Sequence, residues 1–251
     1  MSQSLDRGLE ILTRLGPEGH TLDDLAGQLD VHKTTVLRLL RTLEAQRFVR
    51  RDASHRYYLG ARLFALASDA LCQLEVRDRA RPYLVRLSRT TGEQTVHLAA
   101  LENDAVVYID KVESTHAIRM YSRVGLIAPT HATAVGKVLI AAMPPGQREA
   151  IVAGLDLTAF TAATITAPEA MLQALDVVAA EGWAMDRGEH EDFINCIAAP
   201  IRDGTGRVVA AASVSVPDVV LDADHVRALL PPLLEATTAI SQAAQVTGSP
   251  G

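Results

Sequence analysis

The sequence is poor in three features, and each shortage excludes a class of protein. Its 251 residues include only two cysteines, Cys72 and Cys196, which are too few for a disulfide scaffold. Aromatic residues make up 4%, so a stacking platform for single-stranded nucleic acid is thinly supplied. No apolar run approaches the ~18 residues of a membrane-spanning helix, and the N-terminal stretch MSQSLDRGLE lacks a signal-peptide core. We therefore expect a cytoplasmic protein in a reducing compartment.

What is present is ordinary for a globular protein, because 48% hydrophobic and 22% charged residues argue against disorder. The length suits one large or two small domains. The net charge of −6 hides an asymmetry, since residues 31–62 hold eight basic residues against two acidic ones. A local basic cluster attached to an acidic remainder predicts a small phosphate-binding module joined to a second domain.

Three short helical patterns open the chain. The first, over residues 5–15, has leucines at helical spacing and ends before a Gly-Pro pair. In the second, over residues 21–30, Thr21 and Asp24 form a relative of the capping box with the shorter acid. The third begins near His32 after a short break. Three short helices in this order favour a helix-turn-helix.

The third helix, predicted over residues 32–46, has an apolar face and a basic face, which suits insertion into the major groove of DNA. Strand patterns at 48–49 and 57–59 follow as a basic hairpin and complete a winged helix-turn-helix. A solvated basic face is the plainer interpretation. The predicted groove contacts are Lys33, Thr34, Thr35 and Arg38, and the predicted phosphate contacts are Arg41, Arg47, Arg50, Arg51 and Arg56.

Residues 60–90 are predicted to be mainly helical. An apolar stripe from Leu63 to Leu74 would either pair with its copy in a second subunit or pack on its own domain. Cys72 falls on this stripe and is predicted to lie in the core. Pro82 marks either a kink or the start of a new helix.

The pattern changes beyond residue 92. Three consecutive strands are predicted at 95–101, 104–112 and 117–122. Helical segments, three more strands and a closing helix follow. This order predicts an α+β domain built around an antiparallel sheet.

Many spaced blocks of the chain together carry a family likeness. They include LDRGLEILTRL, TLDDLAGQLDVHKTTVLRLLRTLEAQRFV, ARPYLVRLSRTTGE, VVYIDKVE, PTHATAVGKVLIA, GWAMDRGEHE, CIAAPIRD and GRVVAAASVSVP. In this order they resemble the IclR family of bacterial transcriptional regulators over essentially the whole length. The resemblance implies a winged helix-turn-helix over 1–62, a linker helix over 63–78 and a GAF/PAS-like effector-binding domain over 79–248.

The resemblance has further implications for assembly and for ligand binding. It implies dimers, often paired into tetramers, which mostly repress and sometimes activate operons for the catabolism of small organic, aromatic or sugar acids. Phe193 stands where a glycine is common, so the effector pocket would be smaller if this ring pointed inward. The effector-binding positions that carry over are Ala134, Val135, Asp186, Ile194, Cys196, Ser213 and Ser215.

These residue types are chemically suited to a small hydroxy- or oxo-acid. Residues 194 and 196 alternate along one strand, as 213 and 215 do along another, so each pair faces one side. A helix start at 134 offers N–H groups to a carboxylate, and Asp186 can accept a hydrogen bond from a hydroxyl. Plainer interpretations remain open: small buried serines, a core cysteine and a turn carboxylate.

Enzymatic functions find less support in the sequence. It lacks the motifs G-x-S-x-G, G-x-x-x-x-G-K-[ST], H-E-x-x-H and G-x-G-x-x-G. Cys196 with His97, His131 or His190 would suit a thiol hydrolase. The same four residues together with His116 would suit a zinc site. Scattered histidines, however, are more often hydrogen-bonded or exposed. We expect no catalysis, metal or cofactor.

The predicted partners are palindromic double-stranded DNA, a small carboxylate and further copies of the chain as a homodimer or homotetramer, but no membrane. The rival class is an enzyme or sensor whose helix-turn-helix contacts another protein.

Overall fold

The structure is a computed structural model that describes residues 3–72, 75–118 and 120–245, without the side chains of residues 68–75 and 245. It divides into two compact units, residues 1–73 and 74–251. The boundary falls within the predicted linker helix. On the predicted apolar stripe, Leu63 is half-buried and Leu66 is exposed. The side chains of Ala70, Leu71, Cys72 and Leu74 lie outside the described residues.

The first unit is a winged helix-turn-helix, as predicted. Its elements are α1 (Gln3–Arg14), α2 (Leu22–Leu29), α3 (Lys33–Ala45), β1 (Val49–Arg51), β2 (Tyr57–Leu59) and α4 (Arg62–Cys72). The two strands pair antiparallel as the wing. A small core forms between the first three helices and the hairpin, where Ile11, Leu25 and Leu40 are fully buried. Burial of these apolar groups is what holds three short helices together, since none is long enough to be stable alone.

Local hydrogen bonds set the boundaries of α2. Thr21 Oγ1 accepts from Asp24 N at 3.2 Å, and Asp24 Oδ2 accepts from Thr21 N at 2.8 Å. The predicted capping box is therefore confirmed. Asp30 ends the helix in the left-handed conformation, with φ at 50°. The chain then enters α3 after a short turn, which fixes the angle between the two helices.

The second unit is built around an antiparallel sheet, as predicted. The helices are α5 (Glu75–Thr90), α6 (Ala134–Ala141), α7 (Pro145–Gly154), α8 (Pro168–Glu181), α9 (Ala223–Val226) and α10 (Leu230–Gln245), with a 3-10 turn at Arg227–Leu229. The strands are β3 (Thr95–Glu102), β4 (Ala105–Val112), β5 (Ile127–Ala128), β6 (Ala184–Arg187), β7 (Ile194–Arg202) and β8 (Val208–Pro217). They lie in the order β5-β4-β3-β8-β7-β6.

Helices cover both faces of this sheet. On one face α5 and α10 pack over a cluster that includes Leu84, Leu98 and Leu233. On the other face α6 and α8 pack over a cluster that includes Ala99 and Leu175. Leu98 and Ala99 are neighbours on β3 and thus point to opposite faces of the sheet, as strand geometry requires. Every residue of α6 is buried, so its N-terminus opens inside the unit rather than at the surface.

Two details of the second unit differ from the sequence-based expectation. The strand predicted at 117–122 is wrong for the described part of that stretch, and the third strand is the short β5 instead. The reason is that the carbonyl oxygens of Met120 and Ser122 accept hydrogen bonds from the Lys111 ammonium, not from a neighbouring strand. Pro82 does not begin a helix, because it lies inside α5.

Candidate functional site

The third helix of the first unit presents one face to the core and the opposite face to solvent. Val36 and Leu40 are fully buried and anchor the inner side. Thr34, Arg38 and Arg41 are exposed on the outer side. The outer face of this helix therefore carries two positive charges and a hydroxyl group in solvent, on the side away from the core.

Some predicted groove residues already have partners within the protein. Lys33 Nζ lies 2.8 Å from Asp23 Oδ1 on α2, and Thr34 Oγ1 lies 2.8 Å from His32 Nδ1. Thr35 is half-buried. The lysine pair is mostly exposed, and surface pairs of this kind contribute only about 0–1 kcal/mol. The contact of Lys33 with Asp23 is therefore weak, and an external anion could replace Asp23 at little cost.

Two arginines of the wing stack on tyrosines of the neighbouring strand. The Arg50 guanidinium carbon lies 4.4 Å from the centre of the Tyr58 ring, and that of Arg51 lies 5.9 Å from the Tyr57 ring. Arg51 Nη2 is also 2.8 Å from His55 Nδ1. Both arginines are exposed and keep their charge at the surface of the wing.

Arg56 and Arg47 have structural contacts that the sequence did not reveal. Arg56 is half-buried and donates hydrogen bonds to the carbonyl oxygens of Glu18 at 3.2 Å and Gly19 at 3.0 Å. It thereby ties the wing to the loop between α1 and α2. Arg47 is exposed, with a left-handed backbone at φ 60°, and its carbonyl lies so close to Gly60 that a Cβ there would clash.

A cavity opens in the second unit beside the N-terminus of α6. Its empty space, counting the part that opens to solvent, is about 570 Å³. The sheet supplies one wall, and the first turn of α6 and the loop after β4 supply others. All seven positions that the family resemblance singled out lie on its walls: Ala134, Val135, Asp186, Ile194, Cys196, Ser213 and Ser215.

The carboxyl group of the cavity is in an unusual electrostatic environment. Asp186 is 2% exposed, and its burial raises the pKa to about 7, despite the hydrogen bond that Oδ1 accepts from Glu189 N at 2.7 Å. The negative charge of Glu189 acts in the same direction as burial. Near neutral pH the Asp186 carboxyl is therefore poised either to accept a hydrogen bond from a ligand or to donate one to it.

A row of hydrogen-bonding side chains crosses the sheet away from Asp186. Cys196 Sγ donates to Ser215 Oγ at 3.1 Å, and His97 Nδ1 lies 3.3 Å from the same oxygen. His97 Nε2 lies 2.6 Å from Ser122 Oγ on the loop after β4. Burial, together with the nearby charge of Lys111, lowers the pKa of His97 to about 3. The ring is thus neutral and supplies one donor and one acceptor to the cavity wall.

A buried lysine holds the loop that closes this side of the cavity. Met120, Tyr121 and Ser122 line the cavity. Lys111 Nζ donates to the carbonyl oxygens of Met120 at 3.2 Å and Ser122 at 2.7 Å, and lies 2.8 Å from Glu113 Oε1. The charge of Lys111 is thus bound to oxygens of the protein and positions the loop.

A buried ion pair supports the opposite end of the cavity. The side chains of Lys137 on α6 and Glu189 after β6 are 5% and 10% exposed, and Nζ lies 2.5 Å from Oε1. The backbone N–H of Glu189 is the group that donates to Asp186. The pair therefore fixes the turn that holds the Asp186 carboxyl against the start of α6.

The cavity differs in two ways from what the sequence suggested. Phe193 is 48% exposed and is not part of the cavity wall, so it does not narrow the space. His97, Tyr108 and Ser122 also line the wall, although none of them was among the effector-binding positions predicted from the sequence. Period-two alternation along β3 and β4 was the available signal for His97 and Tyr108. No local signal existed for Ser122, because its loop is held by a lysine from another element.

The alternative chemistries are not supported by this geometry. Cys196 is half-buried, burial raises the pKa of its thiol, and the thiol donates to Ser215 rather than to a histidine. His131 Nε2 is bound to the Thr158 carbonyl at 2.9 Å. Within residues 3–72, 75–118 and 120–245, no three His, Cys, Asp or Glu side chains are grouped so as to hold a metal. The described helices also include none that is long and apolar enough to cross a membrane.

A winged helix-turn-helix joined in one chain to a sheet domain with a mostly apolar cavity that holds a few polar groups is the architecture of a DNA-binding transcriptional regulator. Comparison with known families agrees with this class. The model of the IclR helix-turn-helix domain matches residues 4–53, and the model of the bacterial transcriptional regulator IclR C-terminal domain matches residues 68–242. The chain belongs to the IclR family, whose members are transcriptional regulators and not enzymes. The thiol-hydrolase alternative is therefore wrong.

Characterised relatives and solved structures extend over most of the chain. The regulator XynR of Escherichia coli K12 is 36% identical over 216 residues, covering 85% of each chain. KdgR of the same organism is 38% identical over 82% of this chain and 79% of its own. The transcriptional repressor AllR of Salmonella typhimurium is 33% identical over 86% of this chain and 80% of its own. An IclR homolog from Microbacterium hydrocarbonoxydans, complexed with 4-hydroxybenzoate, superposes with a TM-score of 0.84 at 26% identity, covering 98% and 100% of the two chains.

Proposed function

We propose that this regulator is an operator-binding repressor whose affinity for DNA changes when a small organic acid occupies the cavity of the second unit. The observation that carries the proposal is the cavity itself, where a carboxyl group, a thiol and hydroxyls converge on the N-terminus of a buried helix. Repression is supported by the relative AllR, which is named a repressor. Coupling between the two sites would be on the order of 1–3 kcal/mol.

The DNA contact would be made by α3 in the major groove and by the wing on the flanking backbone. Arg38 and Thr34 are exposed on the outer face of α3 and would reach base edges, together with Lys33 and Thr35. The phosphate contacts would come from the arginines at 41, 47, 50 and 51. Arg56 stays in this set as a prediction, although its two hydrogen bonds to carbonyl oxygens favour a structural role.

The effector would be a small acid that carries a hydroxyl or oxo group away from its carboxylate. The first N–H groups of α6, at Ala134 and Val135, have no acceptor within the helix and suit a carboxylate. Asp186 and the His97–Ser122 pair then offer hydrogen bonds to a second, uncharged oxygen. The solved homolog bound to 4-hydroxybenzoate, an acid with one hydroxyl, supports this class of ligand.

A homodimer would bind a palindromic operator, with two copies of α3 in successive major grooves. Large apolar side chains exposed on the first unit support self-association: Leu5 is 62% exposed and Leu9 54% on α1, and Phe64 is 77% exposed on α4. Sedimentation of Phe64→Asp against wild type tests this step. A wild-type monomer at micromolar concentration would contradict it.

DNA binding is tested first, with an operator selected from random duplexes by the wild-type protein. Arg38→Ala should weaken binding in a gel-shift assay by about ten- to a hundredfold, as expected for loss of a base contact. Arg89→Ala is the matched control, because this exposed arginine lies in the second unit. Binding of wild type should fall steeply with added salt. Unchanged binding by Arg38→Ala would remove Arg38 from the groove.

The effector is tested with a thermal-shift panel of small hydroxy and oxo acids that includes 4-hydroxybenzoate. An acid that raises the unfolding temperature should also change operator affinity in the gel shift. Stabilising acids that leave operator affinity unchanged would contradict the regulatory part of the proposal. A panel without any stabilising acid would contradict the proposed ligand class.

A further inference from the structure

We propose that Leu37 reads thymine in the operator, by packing its side chain against the C5 methyl group of that base. This would make Leu37 a specificity-determining residue beside Arg38. The inference rests on the proposed function, in which the exposed face of α3 enters the major groove. It adds an apolar contact to an interface that is otherwise predicted from basic and hydroxyl side chains alone.

Leu37 differs from the other large apolar residues of its helix. Val36 and Leu40 are fully buried, and Leu39 and Leu43 pack against the core of the first unit. Leu37 belongs to neither group, and its side chain is partly exposed. Within α3, Leu37 is therefore the large apolar side chain that the core of the first unit does not account for.

The neighbours of Leu37 identify the surface on which it lies. Thr34, Leu37, Arg38 and Arg41 follow one another at the spacing i, i+3, i+4 and i+7, which places them on one face of a helix. These residues line the same shallow concave surface. Leu37 is therefore surrounded by the side chains that are expected to meet bases and phosphates.

The chemistry of the major groove selects the partner of such a side chain. Most groups on the base edges there are hydrogen-bond donors or acceptors, and the C5 methyl of thymine is the apolar exception. A leucine placed against a donor or acceptor would remove water from it without replacing the hydrogen bond, which is unfavourable. Against the methyl group it gains apolar contact, so thymine is favoured over the other bases at that position.

The experiment removes the C5 methyl group of thymine from the DNA and leaves the wild-type protein unchanged. Each thymine of the selected operator is replaced in turn by deoxyuridine, which keeps the base pair and lacks the C5 methyl. At one position in each half-site, wild type should lose about fourfold in affinity per methyl, or ~0.8 kcal/mol. Leu37→Ala should bind the duplex with thymine and the duplex with deoxyuridine at this position with equal affinity. Leu37→Met, which keeps an apolar side chain, should retain the preference.

The control and the contrary results are equally specific. Leu234→Ala removes a 38%-exposed leucine from the second unit and should keep the wild-type preference for thymine. The inference is overturned if no thymine is sensitive to replacement, or if Leu37→Ala keeps the preference. It is also overturned if Leu37→Ala changes the oligomeric state in sedimentation, because Leu37 would then belong to a subunit contact. Failure to select any operator would overturn the proposed function, and this inference with it.

Discussion

Cys196 and Ser215 face each other across β7 and β8, and the thiol donates a hydrogen bond to the hydroxyl at 3.1 Å. The same hydroxyl oxygen lies 3.3 Å from His97 Nδ1. The polar groups on this wall of the cavity are therefore held in place by one another before any ligand enters. Because these side chains are already ordered, the protein loses less conformational entropy when a small ligand binds.

Filling the cavity should separate effector response from DNA binding. Ser213 and Ser215 are 3% and 1% exposed and point into the cavity. Ser213→Leu and Ser215→Leu place extra methyl groups where the acid would lie, and should abolish the thermal shift and the change in operator affinity. Ser213→Ala, which removes the hydroxyl without adding volume, is the steric control and should respond partially. An undiminished response from both leucine variants would place the effector elsewhere.

The Asp186 carboxyl should give the second unit a characteristic dependence of stability on pH. Because burial raises the pKa of Asp186 from 3.8 to about 7, the folded state holds a proton between these values that the unfolded state has released. The free energy of unfolding should therefore fall as pH rises across this window. Asp186→Asn has no such proton, and in chemical denaturation it should lose less stability than wild type over the window. Asp104→Asn, in an exposed turn, is the control, and an identical pH profile for Asp186→Asn and wild type would contradict the prediction.

Removing only one partner of the buried pair of Lys137 and Glu189 should lower the free energy of unfolding substantially. Lys137→Met leaves the Glu189 carboxylate buried without its partner, and should lower the free energy of unfolding by about 3–5 kcal/mol. Replacing both, as Lys137→Met with Glu189→Leu, removes the uncompensated charge and should recover most of the loss. Arg86→Ala breaks a pair whose side chains are 74% and 73% exposed, and should cost less than about 1 kcal/mol. A double variant as unstable as the single one would argue against this electrostatic account.

Features that depend on neighbours in the sequence could be predicted well. The capping box of Thr21 and Asp24 and the course of α3 follow from spacing within about one helical turn. Because Ser213 and Ser215 are two residues apart on a strand, they were predicted to share one face of β8, and both line the cavity. The assignment of the pocket itself came from resemblance to a family, since nothing local shows which strands lie side by side.

Features that depend on distant partners could not be predicted. His97 joins the cavity wall because β3 pairs with β8, more than a hundred residues later in the chain. The segment at 117–122 has the composition of a strand, yet its carbonyl oxygens are bound by Lys111. Arg56 looked like its neighbours in a basic hairpin until the structure placed it against the carbonyl oxygens of Glu18 and Gly19.

Arg56 and Arg50 should therefore respond differently to removal, although both are arginines of the wing. Arg56→Ala loses two charge-assisted hydrogen bonds between the wing and the loop after α1, and should destabilise the first unit by about 1–3 kcal/mol. Arg50→Ala loses an exposed contact with the Tyr58 ring and should cost at most about 1 kcal/mol. It should, however, reduce the slope of operator affinity against salt by about 0.9, as expected for one phosphate contact. Thermal unfolding and gel shifts at several salt concentrations measure both quantities. A stable Arg56→Ala protein with the same reduced salt slope as Arg50→Ala would show that Arg56 acts on phosphate instead.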